Sequence, residues 1–266
     1  MTELITGALE LHHTDEGEGP PVVLLHALAG DHRGFEPVAH QLRDRWRCLR
    51  FDLRGSGHSP STPPPYTTAQ LAADVEATLR SSDVGPVHLV GTSTGGAVAQ
   101  ELALAHPQRI SSLTLVCTWG ARDPWLSAVL DSWARQRPHL AEEDFYPALA
   151  TWAFTHRAYG HGLYELMRTA LRDDPLPQSV HGFQGQATAA RDHDAADRLG
   201  DLSAPTLVVV GEEDILTPPR LSRELADLIP NAELRLVPRL GHALFAEDPG
   251  TFVDLLEDWL ASTGGG

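Results

Sequence analysis

Short apolar runs alternate with amphipathic stretches along most of this chain, and that alternation narrows the choice of fold more than any other feature. Residues 22–26, 47–51, 87–90, 110–117, 205–210 and 233–237 are apolar runs of strand length. Between them, 35–42, 67–80, 95–105, 219–228 and 249–260 read as helices, with Leu71, Val75 and Leu79 recurring at helical spacing in the second. Strands separated by helices need crossover connections, so a mostly parallel sheet covered on both faces follows. One pair breaks the pattern. Residues 8–12 and 22–26 are separated only by a turn-rich segment from Thr14 to Pro20, which predicts an antiparallel hairpin ahead of the parallel strands.

From 118 to 200 the strand pattern stops. This stretch holds most of the aromatics, among them Trp119, Trp125, Trp133 and Trp152, and is broken by Pro138, Pro147, Pro175 and Pro177. It predicts a small helical insertion, so the expected organisation is a core of 1–117 and 201–263 with a helical lid formed by 118–200. The closing Gly264, Gly265 and Gly266 are read as a frayed end.

The 266 residues are 42% hydrophobic and 21% charged, enough apolar material for a real core. A formal charge of −16 leaves no electrostatic footprint for nucleic acid and disfavours anionic membrane surfaces. It also weighs against highly anionic substrates. Cys48 and Cys117, each in or beside a strand, are expected to be buried free thiols. The first residues carry no basic stretch followed by an apolar one, and no run is long enough to span a bilayer, so a soluble cytoplasmic protein is expected. Self-association is left open.

The segment Gly91-Thr92-Ser93-Thr94-Gly95 sits between a predicted strand and a predicted helix. A serine there must turn so sharply that its backbone is strained, and small neighbours let strand and helix approach. Neither a phosphate-loop lysine nor a dinucleotide acidic strand end accompanies it. Serine is a weak nucleophile unless a base lies within hydrogen-bond reach. His242, after the last predicted strand, is the expected base, and Asp214, directly past the 205–210 strand, the carboxylate that orients it. Glu212 and Glu213 compete for that role, and Asp214 is preferred because the turn residues after it favour an ordered, inward position. The order Ser93, Asp214, His242 is the nucleophile–acid–base order of one fold family. An oxyanion formed at Ser93 needs backbone donors, expected from Thr94 and from Leu28 in the loop after residues 22–25. Of the 14 histidines, His12, His13, His40, His106, His139, His156, His161, His181 and His193 are expected to be solvated or structural. His26 and His58 are better placed, yet neither pairs in sequence with a ligand at metal spacing, so neither metal nor cofactor is expected.

These pieces, in order, resemble the α/β-hydrolase superfamily from about residue 20 to 260. The matching segments are His26-Ala27-Leu28-Ala29-Gly30, Phe51-Asp52-Leu53-Arg54-Gly55-Ser56-Gly57-His58-Ser59, the serine turn, Gly211 to Pro218, and Gly241-His242. The resemblance implies the α/β-hydrolase fold, a catalytic triad and a lid. Within the superfamily the chain is similar to lid-bearing serine esterases, 3-oxoadipate enol-lactonases and cofactor-free haloperoxidases. It implies hydrolysis of an ester or lactone through an acyl-enzyme. Carbon–carbon hydrolysis, perhydrolysis, or a non-hydrolytic cyclase or binding scaffold on the same fold are the alternatives. Epoxide hydrolases and haloalkane dehalogenases place Asp where this chain has Ser93. The family uses the Arg54 loop largely for structure. The aromatics of 118–200 suit an apolar or ring-containing small-molecule substrate, with Trp119 and Trp125 the expected contacts.

Overall fold

The computed structural model describes residues 7–172, 174–176 and 178–263, so the terminal glycines lie outside the described residues. Seven strands form one sheet: β1 (His13–Glu16), β2 (Pro21–Leu25), β3 (Arg47–Phe51), β4 (Val87–Thr92), β5 (Ile110–Val116), β6 (Thr206–Gly211) and β7 (Glu233–Val237). Their order is β1-β3-β2-β4-β5-β6-β7, with β1 antiparallel to β3 and every other pairing parallel. The helices are α1 (Glu36–Leu42), α2 (Thr68–Ser81), α3 (Thr94–Ala105), α4 (Pro124–Gln136), α5 (Glu142–Ala150), α6 (His156–Gly160), α7 (Leu163–Arg172), α8 (Val180–Asp192), α9 (Pro219–Leu228), α10 (Leu244–Glu247) and α11 (Pro249–Thr263).

The expected hairpin does not form. The first strand lies at His13–Glu16 instead of 8–12, and it pairs with β3, His13 opposite Phe51 and Glu16 opposite Cys48. Composition explains the exchange. His13-Thr14-Asp15-Glu16 is too polar for burial on two faces and suits only the sheet edge, whereas Pro21-Val22-Val23-Leu24-Leu25 is apolar on both sides and belongs inside. Gly17, at φ +86°, carries the chain tightly past the turn after α1, where a Cβ would meet the carbonyl oxygen of Trp46.

Alternation along each inner strand divides the core. Val23, Leu25, Leu49, Phe51, Leu89 and Leu113 pack with α2, α3 and α9 on one face. Val22, Leu24, Cys48, Val90 and Val209 pack with α1, α10 and α11 on the other. Both cysteines are buried and free. Between β5 and β6 the described residues form helices and no strand. Their apolar faces build a third cluster around Leu126, Leu130, Trp133, Phe145 and Phe183. No helix among the described residues is long and apolar enough to cross a membrane.

The strand order reverses between β2 and β4: the chain moves from β2 to β3 on one side, then returns to place β4 on the other. Loops diverging at such a switch point leave a crevice at the carboxyl ends of the strands, the usual ligand position in open α/β sheets.

Candidate active site

Ser93 follows β4 at that crevice, with φ 52° and ψ −117°. A residue with a side chain is strained there and persists only where its surroundings over-determine it. Here they do. The Ser93 N–H donates to the Val116 carbonyl at 2.8 Å, and its carbonyl accepts from Thr118 Oγ1 at 2.8 Å. The glycines are dictated by space: a Cβ on Gly91 would lie 2.4 Å from the Gly95 oxygen, and one on Gly95 2.3 Å from the Leu25 oxygen. Any side chain at either position would force α3 away from the strands.

His242 comes from the loop after β7 and Asp214 from the loop after β6. His242 Nδ1 lies 2.9 Å from Asp214 Oδ2 and 3.0 Å from Thr217 Oγ1. With the ring proton on Nδ1, that N–H is held by both oxygens and Nε2 is left as the basic nitrogen. Asp214 is itself pinned. Its Oδ1 accepts the backbone N–H groups of Leu216 at 2.9 Å and Thr217 at 2.8 Å, while Thr217 Oγ1 lies 2.7 Å from Oδ2. The competitors are elsewhere: Glu212 is exposed, and Glu213 pairs with Arg157 at 2.8 Å. Thr217 was not singled out from sequence. Its only signal was the turn that follows Asp214, and a buried threonine there looks like any turn residue.

Glu247 is a second unanticipated contributor. Its Oε1 accepts the N–H groups of Gly241 at 3.0 Å and Thr155 at 3.2 Å, tying the His242 loop to the segment between α5 and α6. Cys117 lies against Asp214 and His242 with its thiol pushed well above its ordinary pKa by burial, then by the Asp214 charge. It is therefore a neutral neighbour of the pair.

Ser93 and His242 share the wall of one cavity of about 300 Å³ with Leu28, Thr94 and Trp119. Thr94 opens α3, so its N–H has no carbonyl within the helix to bond. Leu28 stands in the turn 27–30, closed by Gly30 N–H to the Ala27 oxygen at 3.1 Å. His26 braces that turn: Nε2 accepts the Leu53 N–H at 3.0 Å and Nδ1 lies 2.7 Å from the Ala27 oxygen. Burial lowers its pKa, keeping the ring neutral for this role.

Trp125, expected at the substrate, lies outside this cavity. It is 42% exposed and packs against Trp152 at 5.9 Å in a separate groove. Leu126, Leu130 and Trp133 form the inward stripe of α4, and Trp125 is one residue, about 100° of helix rotation, away from it. The wall is instead apolar, built by Leu130, Trp133, Met167, Leu216 and Phe245 among others, and no Arg among the described residues lines it. Tyr146 lines it too, packed beneath the Arg137 guanidinium.

The loop after β3 is structural, as the resemblance implies. Arg54 is fully buried and grips Asp74 of α2 through Nε at 2.8 Å and Nη2 at 2.7 Å. The same loop holds an arrangement invisible in sequence. His12, expected to be solvated or structural, and His58, expected to be structural, have ring centroids 4.7 Å apart, and His32 lies 5.2 Å from His12. Asp52 sits among them with its carboxylate buried. Partial burial, aided by His58 and His32 and opposed by Asp52, holds the His12 pKa below its ordinary value.

The alpha/beta hydrolase fold family matches residues 20–249, and the chain belongs to it. It is 31% identical over 256 residues to a Mycobacterium tuberculosis protein provisionally named non-heme bromoperoxidase BpoC, covering 91% of this chain and 94% of that one. Among solved structures it resembles a thermophilic esterase from Thermogutta terrifontis (TM-score 0.86, 26% identity, 98% and 97% of the two chains). The enol-lactonase of Burkholderia xenovorans LB400 is similar at TM-score 0.84 and 26% identity, covering 94% and 96%.

Proposed function

We propose that this protein is a serine hydrolase that cleaves a neutral, largely apolar carboxylic ester or lactone through an acyl-enzyme on Ser93. The observation that carries the reading is a single cavity whose wall holds both Ser93 and an imidazole hydrogen-bonded to a buried carboxylate. His242 Nε2 takes the hydroxyl proton as Ser93 Oγ adds to the substrate carbonyl, and Asp214 with Thr217 stabilises the imidazolium. The oxyanion is received by the N–H groups of Thr94 and Leu28. His242 then protonates the departing alkoxide, and the acid is released when water, deprotonated by the same nitrogen, attacks the acyl-enzyme. Helices of 118–200 serve as the lid, closing over a pocket at the small end of the range for ligand sites.

The absence of any Arg among the described residues of the lining supports neutral over anionic acyl groups.

The test is hydrolysis of p-nitrophenyl esters of graded chain length and of neutral lactones by the wild type and Ser93→Ala. The variant should lose at least about 10³-fold in turnover with an almost unchanged melting temperature. A fluorophosphonate should label Ser93 in the wild type alone. Turnover retained by Ser93→Ala rejects the assignment. Added hydrogen peroxide in the same assay distinguishes hydrolysis from perhydrolysis of one acyl-enzyme.

A further inference from the structure

Four side chains that hydrolysis does not use meet beyond the carboxyl end of β3. His12 precedes β1, His32 follows the turn that carries Leu28, Asp52 follows β3, and His58 lies in the Arg54 loop. One nitrogen or oxygen from each of His12, His32 and Asp52 lies within 4.8 Å of the other two. The His58 ring is 4.7 Å from that of His12 and 6.0 Å from that of His32. We propose that His12, His32 and Asp52, with His58 at the rim, bind one divalent transition cation such as Zn²⁺.

The charge pattern carries the argument. A buried carboxylate is costly unless matched. Two buried carboxylates are matched by a guanidinium, Asp74 by Arg54 and Glu101 by Arg198, and Asp214 by the single imidazole of His242. Asp52, also buried and without a guanidinium partner among the described residues, has the His32 imidazole at 2.8 Å and a His12 nitrogen within 4.8 Å, with the His58 ring beside both. Three imidazoles converging on one carboxylate repel one another when protonated, yet together they suit a cation that none supplies alone.

The site is also preorganised. Asp52 Oδ1 accepts the His32 backbone N–H at 2.7 Å and Oδ2 accepts that of His58 at 2.9 Å, so the carboxylate is oriented before any ion arrives. His58 is exposed, leaving a path from solvent. Two imidazoles and one carboxylate form a borderline-soft set, suited to Zn²⁺, Co²⁺ or Ni²⁺, whereas Mg²⁺ and Ca²⁺ require oxygen ligands. Bound there, the ion would fasten the segment after Asp31, itself a residue of the cavity wall, to the ends of β1 and β3.

The experiment uses tag-free, metal-stripped protein titrated calorimetrically with ZnCl₂ and, separately, MgCl₂, with melting curves for each. One Zn²⁺ per chain should bind and raise the melting temperature by several degrees, while Mg²⁺ should do neither. His12→Gln and His32→Gln should each weaken Zn²⁺ binding at least about tenfold. His139→Gln, at an exposed distant position, should leave it unchanged. Metal-free melting curves establish that each variant is folded, and either histidine variant suffices if the other is not. No Zn²⁺ binding, equal response to Mg²⁺, or undiminished affinity in the folded histidine variant overturns the proposal. None of these readouts depends on esterase activity.

Discussion

Asp214 and Glu213 are adjacent and alike in charge, yet only the first reaches the imidazole, because three donors from residues 216 and 217 hold its carboxylate inward. Asp214→Asn should preserve the fold and lower kcat by about 10⁴ through loss of the correct tautomer, with KM little changed. Glu213→Gln should stay within about twofold of wild type, since Glu213 only pairs with half-exposed Arg157. Thr217→Val removes one of two acceptors of the Nδ1 proton, worth about 1 kcal/mol, and should lower kcat roughly fivefold. Steady-state kinetics on one ester would check all three. Ser93, Asp214 and His242 were legible because each follows a recognisable strand. Thr217 and Glu247 were not, because a side chain that hydrogen-bonds a distant loop leaves no pattern in its own neighbourhood.

Among the elements, the loop after β3 depends on a guanidinium–carboxylate pair with no access to water. Removing one partner strands the other charge, so Arg54→Leu should cost about 3–5 kcal/mol, read as a lowered urea midpoint. Arg47→Ala, which breaks the exposed pair with Asp15, should cost no more than about 1 kcal/mol. The inward stripe of α4 lines the cavity. Leu130→Trp should shift the preferred acyl chain to shorter esters, measured as kcat/KM across a chain-length series. The absence of strand signals and the prolines of 118–200 revealed a helical insertion, but aromatic content alone did not reveal which of Trp119, Trp125 and Trp133 faces the cavity. That depends on helix rotation relative to the core, which places Trp125 outside.

For the whole molecule, stability is tied to pH through His193, which bridges Thr68 of α2 and Gln100 of α3 at 3.1 Å each. Burial lowers its pKa from 6.5 to about 4 in the folded protein. Between those values the unfolded chain binds a proton that the folded one refuses, so stability falls as pH drops through that window and then levels. The loss amounts to about 3 kcal/mol. His193→Gln should flatten the melting-temperature profile between pH 7 and 4. The alternation of apolar runs with helices determined a parallel α/β sheet, and the spacing of Gly91, Ser93, Gly95, Asp214 and His242 determined where chemistry could reside, because those signals are local to each strand end. Tertiary structure alone decided that β1 pairs with β3, which residues line the cavity, and that His12, His32, Asp52 and His58 converge. Each of these depends on sheet order and helix rotation, which emerge only when burial is shared across the whole chain.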